Sequence, residues 1–181
     1  MRGTTLLFVA LIMAMTLGFS GTALAANLKG TEGPDVIEGT VRADSISGLG
    51  DNDALAGDPS LFGIGGADKM SGASGNDAVY GRSGRDVVSG GPGGDDVRGT
   101  LGADVVYGGE GDDVVHEGPP FDSYTDWISG GPGDDLMDAY NRPAHTDFVV
   151  CGSGSDAVYT DGTDRIARDC EKVIVGPPPA A

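Results

Sequence analysis

Between Gly72 and His116 the chain runs through five nine-residue units without a gap: GASGNDAVY, GRSGRDVVS, GGPGGDDVR, GTLGADVVY and GGEGDDVVH. Each opens with Gly and has Gly at its fourth place, Asp at its sixth and Val at its eighth. A fixed short period constrains architecture more than any composition can, because one unit cannot bury its apolar residue alone and neighbours must stack. Glycine at places one, two and four permits left-handed backbone and close chain approach. The triplet at places seven to nine is β-prone, with its middle residue facing inward. Each unit therefore reads as a turn followed by a very short strand.

The register extends both ways. Upstream lie GTEGPDVIE with Gly33 and Asp35, GTVRADSIS with Asp44 but Arg42 at the fourth place, and GLGDNDALA with Asp53. Six extra residues, Gly57 to Phe62, precede GIGGADKMS with Gly66 and Asp68. Downstream, four extra residues around Glu117–Pro120 lead to a weak unit with Asp126. GGPGDDLMD then carries Gly133 and Asp135, an interrupted unit carries Asp147, and CGSGSDAVY carries Gly154 and Asp156. A shortened unit ends at Asp164 and Ile166. Every eighth place is aliphatic or Met: Ile37, Ile46, Leu55, Met70, Val79, Val88, Val97, Val106, Val115, Ile128, Met137, Val149, Val158 and Ile166. No helical period accompanies this pattern, so the fold class is all-β.

The motif G-G-x-G-x-D-x-U-x, with U a large apolar residue, resembles the hemolysin-type (RTX) calcium-binding repeat. The resemblance implies a right-handed parallel β-roll in which two units, eighteen residues, make one turn. Fourteen units then give about seven turns over residues 29–166. One turn-edge would carry Asp35, Asp53, Asp77, Asp95, Asp113, Asp135 and Asp156. The other would carry Asp44, Asp68, Asp86, Asp104, Asp126, Asp147 and Asp164. Carboxylates one strand spacing apart repel, at roughly 3 kcal/mol for an effective dielectric near 20. A cation between neighbours removes that repulsion, and carboxylates with turn carbonyls suit Ca²⁺ rather than Mg²⁺, while zinc and copper lack ligands. The expected set for several Ca²⁺ ions is Gly33/Asp35, Asp53, Gly66/Asp68, Gly75/Asp77, Gly84/Asp86, Gly93/Asp95, Gly102/Asp104, Gly111/Asp113, Gly133/Asp135 and Gly154/Asp156. The units of Asp44, Asp126 and Asp147 are expected to bind weakly or not at all. Apolar burial is small against the chain entropy of so many glycines, so the calcium-free chain is expected to be largely unfolded.

Residues 1–25 have one Arg, an apolar run from Leu6 to Phe19 and an Ala23-Leu24-Ala25 end, the form of a secretory signal peptide cut after Ala25. Its removal with Arg2 leaves a net charge of −18, from 28 acidic and 10 basic side chains. Nucleic acid and anionic membrane surfaces are poor partners for such a chain, and no further apolar run is long enough to span. The two cysteines, Cys151 and Cys170, lie nineteen apart, close to one turn, and in an exported chain that favours a disulfide. Such a bond would hold residues 167–181, a cap with a Pro-rich tail, over the end of the roll. There is no H-E-x-x-H, G-x-S-x-G or P-loop motif. The expected function is secreted, non-catalytic calcium binding. The alternatives are adhesion through the insertions at Phe62 and Phe121–Trp127, with the protein or glycan partner unidentified, and a polysaccharide-modifying β-helix.

Overall fold

The computed structural model describes residues 25–60 and 65–178. The expected leader, apart from its last residue, and Phe62 lie outside the described residues. Sixteen strands alternate with turns, and no helix occurs among the described residues. They are β1 (Asn27–Lys29), β2 (Val36–Glu38), β3 (Ser45–Gly50), β4 (Ala54–Ala56), β5 (Lys69–Ser74), β6 (Ala78–Ser83), β7 (Val87–Pro92) and β8 (Asp96–Leu101). Then follow β9 (Val105–Glu110), β10 (Val114–His116), β11 (Trp127–Pro132), β12 (Leu136–Ala139), β13 (Phe148–Ser153), β14 (Ala157–Thr160), β15 (Arg165–Ile166) and β16 (Lys172–Val175). Odd strands form one eight-stranded parallel sheet and even strands the other, each in chain order. The chain thus winds as a β-solenoid of about eight turns.

This is one turn more than the repeat count gives. β1 pairs with β3 through Leu28 and Ile46. β16 pairs with β14 through Val173 and Val158. Neither segment carries the Gly and Asp of a unit, so only pairing reveals it as a strand. The C-terminal segment expected to close the roll thus supplies β16, on which Val173 is 47% exposed.

The core is a single file of side chains between the sheets. All the eighth-place residues from Ile37 to Val158 are buried, and Ile166, Leu28 and Cys170 pack against them. Val79 aligns with Val97 at an offset of one eighteen-residue turn. Ile46 aligns with Met70 and Val106 with Ile128, where the offsets include the six and four extra residues. Insertions therefore lodge in turns and leave the strand register intact, because a slip would put every apolar residue on the wrong face. Cys151 and Cys170 form the disulfide, with Cα atoms 5.1 Å apart, and join the last two turns of the odd-strand sheet side.

Candidate metal centre

Each sixth-place Asp sits directly before a strand, so the two kinds of turn form two edges. Asp35, Asp53, Asp77, Asp95, Asp113, Asp135 and Asp156 lead into even strands, and Asp44, Asp68, Asp86, Asp104, Asp126, Asp147 and Asp164 lead into odd ones. All but Asp164 are buried.

Along each edge the carboxylates form a ladder. The backbone N–H of each Asp donates to Oδ1 of the Asp one turn later, at 2.6–3.0 Å, from Asp35 to Asp156 and from Asp44 to Asp164. The ladders start at Ala26, whose N–H donates to Asp44, and end at Glu171, which accepts from Asp156. Turn backbones are tied in the same sense, as in the Gly84 N–H donating to Leu101 O at 2.8 Å.

The second oxygen is the decisive atom. Oδ2 of Asp53, Asp68, Asp77, Asp86, Asp95, Asp104, Asp113, Asp126, Asp135 and Asp156 is buried with no hydrogen-bond partner. In the five central units and that of Asp135 it points at the first place of its own unit: a Cβ on Gly72 would lie 2.2 Å from Asp77 Oδ2. Glycine there makes room for the carboxylate. The fourth-place glycines Gly75, Gly84, Gly93, Gly102, Gly111, Gly133 and Gly154 have φ between +120° and +151°, which L side chains rarely adopt. Gly33 and Gly66 are not left-handed. Gly66 instead lets the Arg42 backbone approach, since a Cβ would fall 2.1 Å from its carbonyl carbon. Non-glycine residues Ala73, Arg82 and Thr100 take positive φ at second places, so that turn position tolerates side chains.

Burial and the next carboxylate raise these acids, against the pull of the ladder N–H groups, and burial wins. Asp68, Asp95 and Asp135 rise to about 6, Asp86 and Asp113 to about 7, Asp104 to about 8 and Asp126 to about 9. Asp53, Asp77 and Asp156 are raised for the same first reason, burial. Ordered, desolvated oxygens without donors are what a hard cation needs. The residues present therefore fit Ca²⁺.

Residues 29–59, 62–97, 89–116 and 122–141 match the family model for the RTX calcium-binding nonapeptide repeat, in four copies. The chain belongs to this family. No match appears among curated proteins or among solved structures.

As an RTX repeat chain it is a calcium-binding repeat protein, and its departures from the nonapeptide are as informative as its matches. At three of the four ladder ends, and at Asp147 one rung in from the end, the second oxygen has a protein donor. Thr31 donates its N–H and hydroxyl to Asp35 Oδ2 and Thr40 does the same for Asp44 Oδ2. Asn141 Nδ2 donates to Asp147 Oδ2 at 3.1 Å, and the Thr160 hydroxyl donates to Asp164 Oδ2 at 2.5 Å. Asp126, expected to be a weak site, has the same unpartnered Oδ2 as the central units. Three buried acids outside the sixth place were not anticipated. Asp58 caps the Gly66 N–H, Asp122 accepts from Gly102, Ser123 and Tyr124, and Glu117 has neither oxygen partnered. A scan of first places would have found Glu117, which stands where Gly39, Gly57, Gly81 and Gly99 stand in earlier turns.

Proposed function

We propose that this is an exported, non-catalytic protein whose β-roll folds when calcium binds between successive turns of both edges. The carrying observation is the row of buried Oδ2 atoms with no donor, in turns whose glycines are shaped around them. The proposed ligands are the carboxylates of Asp53, Asp68, Asp77, Asp86, Asp95, Asp104, Asp113, Asp135 and Asp156, together with turn carbonyls. The glycines Gly66, Gly75, Gly84, Gly93, Gly102, Gly111, Gly133 and Gly154 shape the turns that present them. Asp35, with Gly33, is the weakest member, since Thr31 already occupies its Oδ2.

Export is supported by the leader-like residues 1–25 and by the Cys151–Cys170 disulfide, which persists in oxidising compartments. Non-catalytic function is supported by the sealing of the densest acid cluster: Glu117, Asp126 and Asp147 are at most 1% exposed, leaving no approach for a substrate. The test is calorimetric titration of Ca²⁺ into the metal-stripped chain, with circular dichroism alongside. Several ions bound with a rise in strand signal supports the reading; a full strand signal in chelator that calcium leaves unchanged refutes it.

A second reading, adhesion, has its own observation. Phe121, Tyr124 and Trp127 are 59%, 56% and 43% exposed, and Trp127 stacks on Phe148 with ring centroids 5.7 Å apart. Exposed aromatics of this kind mark contact surfaces. Retention on polysaccharide or cell-surface material that falls in Trp127→Ala supports it, and equal elution of both chains removes it.

A further inference from the structure

Ladder turns on the second edge follow one plan until the chain reaches Glu117. In earlier turns the first place is glycine, and a Cβ on Gly81 or Gly99 would lie 2.6 Å from Oδ2 of Asp86 or Asp104. The first place therefore faces the carboxylates of the edge. At Glu117 a side chain occupies that direction, and four extra residues before Asp126 widen the turn around it. Its carboxylate comes together with those of Asp126 and Asp147, one ligand oxygen from each lying within 4.8 Å of the others.

Acid clusters are common, but here the oxygens themselves call for a ligand. Both Glu117 oxygens and Asp126 Oδ2 are buried without a donor. Glu117 and Asp126 are 1% exposed and Asp147 is 0% exposed, so water does not compensate them. Neither ion pair among the described residues, Arg98–Asp96 or His116–Asp138, involves these three. The ladder N–H groups of Asp104 and Asp126 donate to Oδ1 of Asp126 and Asp147, and the side chain of Asn141, itself 1% exposed, holds Asp147 Oδ2 through its amide while its carbonyl oxygen accepts from the His145 N–H. These contacts leave both Glu117 oxygens and Asp126 Oδ2 without a donor and fix Asp147 beside them.

We propose that Glu117, Asp126 and Asp147 form a calcium site of their own, distinct from the nonapeptide sites because a first-place glutamate adds a third carboxylate. The inference rests on the reading of the roll as a calcium binder. All three ligands are hard oxygens and no histidine or cysteine joins the cluster, which selects Ca²⁺ over zinc. Charge count tunes calcium affinity, so three carboxylates make this the tightest site on the edge. It also joins the two longest turns of the C-terminal half: 117–126 supplies two ligands, and 140–147 supplies the third and its Asn141 support. The glutamate thus converts a repeat interruption into a cross-brace.

Terbium(III), which replaces Ca²⁺ in oxygen sites and luminesces when a nearby indole is excited, tests this directly. Trp127, the only tryptophan, follows Asp126. In the full chain, the first equivalent of terbium should give indole-sensitised emission that calcium displaces. Glu117→Gln, which keeps the shape and removes the charge, should weaken that first class by about tenfold or more. It should lower the calorimetric calcium count by one, with strand signal at saturating calcium unchanged. Should Glu117→Gln fail to fold, Asp147→Asn is expected to give the same loss. Unchanged affinity and stoichiometry in the variants overturns the proposal and assigns the cluster to carboxyls sharing a proton, as does Glu117→Gln being more stable at an unaltered calcium count. Absence of any calcium binding by the unaltered chain refutes the reading of the whole roll instead. Several bound ions without an indole-sensitised tight class refutes only this site.

Discussion

The middle of the roll and its ends solve the same problem differently. In both, an aspartate's Oδ1 accepts from the backbone N–H of the preceding turn, except at Asp35, the first on its edge, where Oδ1 has no partner. At the ends Asp35, Asp44 and Asp164 the second oxygen takes a proton donor from Thr31, Thr40 or Thr160, and at Asp147, one rung in, from Asn141. From Asp53 to Asp135 on one edge, and from Asp68 to Asp126 on the other, it takes none. Asp156 is the exception among the ends, with an unpartnered Oδ2. The difference teaches where cations are required. A hydroxyl or amide satisfies one carboxylate and adds no charge, which suffices where the ladder stops. In the interior each acid has acidic neighbours on both sides, and only a cation offsets that charge.

The largest effect that can break this comparison is calcium removal. At neutral pH the chelated chain is expected to lose most of its strand dichroism and regain it on calcium addition, since binding energy is folding energy in such a chain. A native-like spectrum in chelator means that hydrogen bonds alone hold the interior. Next comes a matched pair of substitutions. Asp104→Asn should raise the calcium midpoint of folding about tenfold by removing one ligand charge, whereas Asp44→Asn, whose Oδ2 Thr40 already satisfies, should move it by less than about threefold. Equal shifts in the two titrations would erase the distinction between middle and end.

The pH dependence of the calcium-free chain sharpens the same point. Folded Asp68, Asp86, Asp95, Asp104, Asp113 and Asp135 keep their protons up to about 6–8, because burial and then neighbouring acids raise them, while the unfolded groups release theirs near 3.8. The folded state then binds more protons than the coil, so its stability is greatest near pH 4 and falls as pH rises to about 8. Thermal melts in chelator at the two ends of this window should show the acid sample melting higher; the opposite order contradicts the burial of these oxygens. The smallest effect belongs to the ends. Thr40→Val should cost about 1 kcal/mol, the loss of one hydroxyl donor to a buried acceptor, with an unchanged calorimetric calcium count. A lost ion in that variant would make Asp44 part of a metal site after all.

Much of this was legible because the repeat encodes it twice, once in glycine and aspartate and once in the aliphatic file. The edge assignment of every sixth-place aspartate follows from counting units, since two units per turn alternate the edges. Glu117 escaped the count for a physical reason. In the second-edge turns of Asp86 and Asp104 the first place is a glycine packed against Oδ2, and a side chain enters at Glu117, where four extra residues lengthen the turn. Leu28 and Val173 escaped because a strand that pairs at the end of a stack needs neither turn glycines nor a metal ligand.

By itself the sequence determined the period, the solenoid class, the identity of the core residues and the chemistry of both edges. These depend on local turn geometry and on alternation along each strand, which neighbouring residues specify. Only the tertiary structure decided which carboxylate oxygens have donors. Oδ1 meets a backbone N–H seventeen or more residues away, and Oδ2 meets Thr31, Thr40, Asn141 or Thr160 only where the turn's own path brings a donor to it. Whether an aspartate is sealed by protein or left for a cation is therefore a property of stacked turns, not of any single unit.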